Sequence, residues 1–352
     1  PSYGKEEPEV RFIEALETYQ EGGETRSRFK RGSSATSLRV TRDSFEDHSV
    51  ANNYDSGRRC SHRFNSGHAD ARDYLFHDSD GGEIAVVRSS DWIVKDEEGN
   101  VSTIPSYLPP NNPIVPADYD GDGITDPAVR ENGRWRVMRS TTGQLEVYYT
   151  PNHLFGDKAV TGDFDADHKA DFGTWNSSDG KWVILRSSDR GEQVVYWGVS
   201  GDIPVPGDYD GDNKSDFAIW RPSEGKWYII QSSDGAWLIR TWGQQGDIPV
   251  QGDYDGDGLT DTAVVRPSTG AWYSLDSGDN LAWRVCQFDV LGPDDLPVPS
   301  DYDADGRIDV AVWKKSAGIW RIVNSRLGTV REETFSDAQA TDIPVMSAYV
   351  FR

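Results

Sequence analysis

Short apolar runs bounded by turn residues recur along most of the chain, and none of them is long. Phe217-Ala-Ile-Trp220, Lys226-Trp-Tyr-Ile-Ile230 and Thr262-Ala-Val-Val265 are typical. Runs of this length, rich in β-branched and aromatic residues between Gly, Ser and Asp clusters, predict strands. No long segment carries a strong 3.6-residue period, so helices are not expected. The runs come in sets of four. A first strand such as Asp202-Ile-Pro-Val-Pro-Gly leads into an acidic loop, and a short apolar strand follows. A Gly-bearing turn then leads to a third strand, and a Ser/Asp/Gly turn to a fourth, such as Gln193-Val-Val-Tyr-Trp197.

The acidic loop is the most regular part of the set. Its five copies start at Asp118, Asp163, Asp208, Asp253 and Asp301, 45 residues apart three times and then 48. Each has aspartate at positions one, three, five and nine: Asp118, Asp120, Asp122 and Asp126; Asp163, Asp165, Asp167 and Asp171; Asp208, Asp210, Asp212 and Asp216; Asp253, Asp255, Asp257 and Asp261; Asp301, Asp303, Asp305 and Asp309. Four carboxylates in nine residues repel one another unless a cation sits among them. Calcium takes six to eight oxygens in flexible geometry, whereas magnesium demands stricter octahedral order. In such loops position seven ligates through its backbone carbonyl, which leaves the side chain unconstrained. Here it is Ile124, Lys169, Lys214, Leu259 and Arg307. Position six needs a sharp turn. It is Gly123, Gly258 and Gly306, or His168 and Asn213, two residue types that tolerate positive φ. The Asp163 loop, with histidine there, is expected to bind more weakly. About five structural calcium sites follow.

A period in the forties with four short strands per unit predicts a β-propeller of four-stranded blades. The third strand carries Trp135, Trp182, Trp227, Trp272 or Trp320, read as packing between adjacent blades, as is the aromatic at loop position two. A degenerate unit precedes the five: Phe76-His-Asp78-Ser-Asp80-Gly-Gly-Glu83 lacks the first ligand and is expected to be empty, and Trp92 matches the third-strand tryptophan. At the far end Asp342-Ile-Pro-Val repeats only a first strand. Seven blades are expected, the seventh joining residues 342–352 to strands from within 1–69, around Ser37–Thr41. Six blades with an extra N-terminal element is the alternative. The domains are then an N-terminal arm, 1–69, and a propeller, 70–352.

The five Asp-x-Asp-x-Asp-x-x-x-Asp loops and the aromatic-glycine pairs Phe155-Gly156, Trp197-Gly198 and Trp242-Gly243 resemble the FG-GAP/VCBS repeat family. That family comprises calcium-loop propellers such as integrin α-subunit heads and many bacterial surface proteins. The Gly-Ala-Pro signature is missing, and Ala128–Arg130 and Ile219–Pro222 occupy its place. The resemblance covers about residues 70–352. It implies the propeller fold and calcium ligation by the loops; activity does not follow, because one fold hosts many.

Composition narrows the partners. A net charge of −23 argues against nucleic acid, and filling five sites with a divalent ion would bring it to −13. No run of about eighteen apolar residues predicts a membrane span. Loops of this kind work at millimolar calcium, which favours an extracellular or cell-surface setting. Pro1 suits either a processed N-terminus or a trimmed chain. Cys60 and Cys286 either pair as a disulfide or lie as two buried thiols. Arg26, Arg28, Lys30, Arg31, Arg39 and Arg42 face only Glu24 and Asp43 in residues 24–43. This local excess of four positive charges makes the arm a candidate for docking on an acidic propeller, its own or a neighbouring subunit's.

No constellation for catalysis emerges. The six histidines, His48, His62, His68, His77, His153 and His168, form no triad or metal spacing, and the aspartates are committed to the loops. The sequence therefore reads as a non-enzymatic, calcium-stabilised adhesive or structural module of an extracellular assembly, partnered by protein subunits or surface ligands. A glycan-binding lectin propeller is the alternative.

Overall fold

In the computed structural model the four-run sets become antiparallel sheets. The structure describes residues 16–21 and 24–29 and most of 83–345, with 97–98, 106–111, 150–157, 278–282, 304, 326, 336–338 and 340 lying outside it. The chain divides into two units, Pro1–Gly57 and Arg58–Arg352. In the first, Leu16–Glu21 pairs with Glu24–Phe29 as an antiparallel ribbon, with Leu16 opposite Phe29 and Glu21 opposite Glu24. The rest of the arm, including Ser37–Thr41, its basic stretch beyond Phe29, and the Phe76–Gly82 loop, lies outside the described residues.

The second unit is an all-β propeller. Among the described residues every element is a strand, and no helix is long and apolar enough to cross a membrane. Blades 3 to 6 each hold four strands in chain order. Blade 3 consists of Lys158–Val160, Phe172–Asn176, Lys181–Leu185 and Glu192–Tyr196. Blade 4 runs from Ile203–Pro204 to Trp237–Thr241, blade 5 from Ile248–Pro249 to Trp283–Gln287, and blade 6 from Leu296–Pro297 to Val330–Thr334. Blade 2 has Ala128–Glu131, Arg134–Met138 and Leu145–Tyr149, with a bridge from Ile114 to Val129 where the innermost strand sits elsewhere.

The ring has six blades, not the seven expected. Ile343–Pro344, read as the start of a seventh, pairs with Ile84–Arg88 and completes blade 1 with Asp91–Lys95 and Val101–Pro105. The reason is an exposed inner edge on Ile84–Arg88 that the last first strand fits in register. Val345 donates its amide to the Ala85 carbonyl at 2.9 Å. Arg88 forks onto both oxygens of Asp342 at 2.7 Å. The same fork joins Arg221 to Asp202 and Arg266 to Asp247 within blades 4 and 5, and Lys314 reaches Asp295 in blade 6. Chain closure thus repeats the contact that blades 4, 5 and 6 make within themselves, and it hides the sheet edges that an open ring would expose.

The Asp342 side chain is fully buried. Removing one partner of such a pair strands the other charge and costs about 3–5 kcal/mol. Asp342→Ala is therefore expected to lower unfolding stability by about 3 kcal/mol in denaturant titration. A change below about 0.5 kcal/mol, the ordinary size of a surface effect, would contradict this closure.

The core lies between blades. One cluster joins Tyr119, Trp135 and Val137 of blade 2 to Ala170, Phe172 and Leu185 of blade 3. Another joins Trp175, Trp182 and Ile184 of blade 3 to Phe217 and Ile219 of blade 4. The third-strand tryptophans are buried as expected, and so are the second-strand Trp175, Trp220 and Trp313. In blades 3 and 4 the two indoles share an acceptor, whereas the buried indole nitrogens of Trp313 and Trp320 in blade 6 do not. Trp175 and Trp182 donate to the Trp197 carbonyl, and Trp220 and Trp227 to the Trp242 carbonyl. Cys286 is buried in blade 5 and disulfide-bonded; the chain's other cysteine, Cys60, lies outside the described residues.

Candidate metal centres

Each acidic loop joins the first strand of its blade to the second. Local sequence sets its path. The position-one carboxylate gathers the amides of the turn that follows: Asp118 accepts from Gly121 at 2.6 Å and Gly123 at 2.8 Å, and Asp208 from Gly211 and Asn213. Position six has positive φ in all five copies, 84°, 62°, 65°, 86° and 83° for Gly123, His168, Asn213, Gly258 and Gly306. His168 donates its amide to Asp163 at 2.8 Å, as Gly123 does to Asp118. The backbone at His168 thus makes the same turn as its glycine counterparts.

Position nine anchors the loop. Asp126, Asp171, Asp216, Asp261 and Asp309 are completely buried. One oxygen of each accepts the amide of the position-two aromatic, for example Tyr209 to Asp216 at 2.9 Å. The other accepts an amide from a serine just past the third strand: Ser140, Ser187, Ser232, Ser277 or Ser325. The position-two tyrosines are tied in turn to the first strand, as Tyr119 is to the Val115 carbonyl at 2.7 Å. Burial pushes the carboxyls of Asp126 and Asp171 up to about 6, Asp216 to about 7 and Asp309 to about 8, and raises Asp261 well above the usual range. Burial likewise raises position one, to about 6 at Asp253 and Asp301.

Positions one, three and nine converge. Asp163, Asp165 and Asp171 each offer an oxygen within 4.8 Å of the others, as do Asp208, Asp210 and Asp216; Asp253, Asp255 and Asp261; and Asp301, Asp303 and Asp309. In the first loop the group is Asp118, Asp120 and Asp122. Position five is otherwise held by its own turn. Its carboxylate accepts the position-seven amide, from Ile124, Lys169, Lys214, Leu259 or Arg307. In four loops it also accepts a hydroxyl from the post-strand serine, at 2.7 Å for Ser232 to Asp212.

The donor set fits a hard divalent cation. Oδ1 of Asp120 and Oδ1 of Asp210 are buried and accept no hydrogen bond, while their Oδ2 atoms are held by Thr141 and Ser233. A buried carboxylate oxygen without a donor is costly, and a metal ion removes the cost. Several acidic clusters can therefore hold a metal.

The sites are not alike in charge. Arg139 comes within 3.9 Å of Asp126. In blade 5 a further carboxylate, Asp276, joins the surroundings and is pushed up to about 7, first by burial and also by Asp255. Arg284 lies 3.2 Å from Asp276 and 3.8 Å from Asp255. Sequence reading missed the serines, Asp276 and Arg284. The serines had a signal: one recurs 14 or 16 residues after each position-nine aspartate.

Two substitutions separate anchor from ligand. Asp216→Asn turns an amide donor toward one of two buried N–H groups, and this unsatisfied pairing costs about 1–3 kcal/mol even in chelator. Asp210→Asn in chelator loses no hydrogen bond at Oδ1 and relieves its repulsion with Asp208 and Asp216, so it should not lower stability, yet one bound metal ion should be lost. Equal effects of the two in chelator would contradict this division.

No family model and no curated protein matches the sequence. Solved structures do resemble the fold. A streptogramin B lyase structure aligns at 12% identity and a TM-score of 0.47, over 75% of this chain and 82% of that one. The Photorhabdus luminescens Tc holotoxin pore aligns at 14% and 0.46, over 65% of this chain and 12% of that one. The Dos1 propeller aligns at 14% and 0.39, over 71% and 66%. These likenesses, all with TM-scores below 0.5, assign no role to this chain.

Proposed function

We propose that this chain is a non-catalytic calcium-stabilised propeller of the FG-GAP/VCBS type. It serves as an adhesive or structural module of an extracellular or cell-surface assembly. The observation that carries the calcium reading is the fivefold carboxylate cluster, with buried acceptor oxygens on Asp120 and Asp210 that have no donor. The extracellular setting follows from the millimolar calcium such loops require. Position-nine carboxylates with both oxygens engaged by amides make rigid sites, suited to holding a fold rather than to presenting an open coordination position to a substrate. Immunogold electron microscopy of the source cells tests the role. Label on ordered material outside the plasma membrane is expected, and label confined to the cytoplasm would contradict it.

One observation favours a glycan-binding reading as the second. Trp237 and Trp283 are 64% and 50% exposed and open the outer strands of blades 4 and 5 at the same register, opposite Ile230 and Leu275. Exposed aromatics at matching positions are what sugar stacking needs. The equivalent residues in blades 2, 3 and 6 are Leu145, Glu192 and Val330, so the feature is confined to two blades. Calcium-dependent signal on a glycan array, lost in Trp237→Ala, would establish this reading over the first.

A further inference from the structure

The five loops are joined to one another. The position-one carbonyl of each accepts a hydrogen bond from the position-eight amide of the next. Ala170 donates to Asp118 at 2.7 Å, Ser215 to Asp163 at 2.6 Å, Thr260 to Asp208 at 2.6 Å and Ile308 to Asp253 at 2.7 Å. Each link therefore runs from the residue beside one position-nine ligand to the residue that carries the preceding position-one ligand. Side chains reinforce it. A methyl group built on Gly211, at position four, would come within 2.6 Å of the Leu259 side chain at position seven of the next loop. On Gly256 it would meet Arg307 at 3.0 Å, and on Gly121 Lys169 at 3.2 Å. Just before the loops, a methyl on Gly207 would come within 2.7 Å of Thr260 and one on Gly252 within 2.7 Å of Ile308. The contacts form a continuous arc across blades 2 to 6.

We propose that the loops fill with calcium cooperatively along this arc, each filled loop raising the affinity of its neighbours. This rests on the calcium reading given above. The physical basis is shared ordering. An empty loop must fix its backbone against four mutually repelling carboxylates before an ion is held, and fixing backbone is entropically costly. A filled neighbour already holds the donor or acceptor on its side of the link, so the next ion orders less chain. Direct electrostatics oppose this, because a bound cation weakens the field that draws the next one. That effect is screened within about 8 Å at physiological salt and less far at higher salt.

The geometry makes the arc linear, and this gives the test. Asp120→Asn disables the first loop and leaves four contiguous sites. Asp210→Asn disables the middle loop and leaves two separated pairs. Both change an oxygen that accepts no hydrogen bond. Calcium titration against a chromophoric chelator, at roughly twice physiological salt, reads number and steepness. Each variant is expected to bind one ion fewer than the wild type. A Hill coefficient cannot exceed the number of coupled sites, so Asp210→Asn must fall to about 2 or below, while Asp120→Asn stays near the wild-type value. Half-saturation should rise about fivefold in Asp210→Asn, the lower end of ordinary coupling. A wild-type coefficient of one, or identical curves for the two variants, overturns the coupling and leaves the calcium reading intact. No calcium uptake by the wild type overturns both.

Discussion

Chelation of calcium is expected to lower the melting temperature by about 10 °C or more near pH 8. A ligand present at about 10 times its dissociation constant, as for loops of this kind in millimolar calcium, stabilises the folded state by about 1.4 kcal/mol per site. For domains of this size each kcal/mol moves the midpoint by about 2 °C. Five sites give a large shift even when some are weaker. The loss has a local cause. Each emptied loop leaves carboxylates with oxygens within 4.8 Å of one another, and in the four loops from Asp163 on one of them is fully buried. Differential scanning calorimetry with and without excess chelator measures it, and coincident curves would contradict a structural role for the ion.

Removing calcium should also reverse the pH dependence of stability. In the metal-free protein the position-nine carboxyls sit above their usual value of 3.8, at about 6 for Asp126 and Asp171, about 7 for Asp216 and about 8 for Asp309, because burial disfavours their charge. A carboxyl whose folded value is raised holds its proton more tightly in the folded state than in the unfolded one. Its stabilising contribution is complete below about pH 4 and is lost as pH rises through the folded value. A two-unit shift corresponds to about 3 kcal/mol per group. The metal-free propeller should therefore melt higher at pH 5 than at pH 8. With saturating calcium the ion takes the place of the protons, and its affinity rises as the carboxylates ionise. The loaded protein should then gain or hold stability between pH 5 and pH 8. Thermal melts at both pH values, with calcium and with chelator, should show slopes of opposite sign. Parallel slopes would mean that the buried carboxylates are not the metal ligands.

What the sequence disclosed depended on how local the determinant was. The loop ligands lie within nine residues of one another, so their spacing alone placed Asp208, Asp210 and Asp216 in one cluster. The turn at position six was legible for the same reason, even where His168 and Asn213 replace glycine. The serines behind the loops were harder to find. Ser232 meets Asp216 and Asp212 only once the second and third strands are in register, so its role is a product of the sheet. Ring closure was harder still. The pairing of Asp342 with Arg88 spans 254 residues, and the sequence of Asp342-Ile-Pro-Val shows which kind of strand it is but not which sheet it joins. In hindsight the Arg221–Asp202 and Arg266–Asp247 forks give the rule, since an aspartate before Ile-Pro seeks a cation at the end of the next strand. The N-terminal ribbon, Leu16–Glu21 with Glu24–Phe29, was missed because its residues are polar. Its Gly22-Gly23 separator is nonetheless a hairpin signal.

The loops are expected to hold calcium as integral ions of the fold. Equilibrium dialysis of the full chain against about 2 mM calcium, followed by elemental analysis of protein and dialysate, measures this directly, millimolar being the range in which such loops work. About five calcium ions per chain are expected, one for each loop beginning at Asp118, Asp163, Asp208, Asp253 and Asp301. Fewer than one ion per chain, in protein that remains folded, would contradict it.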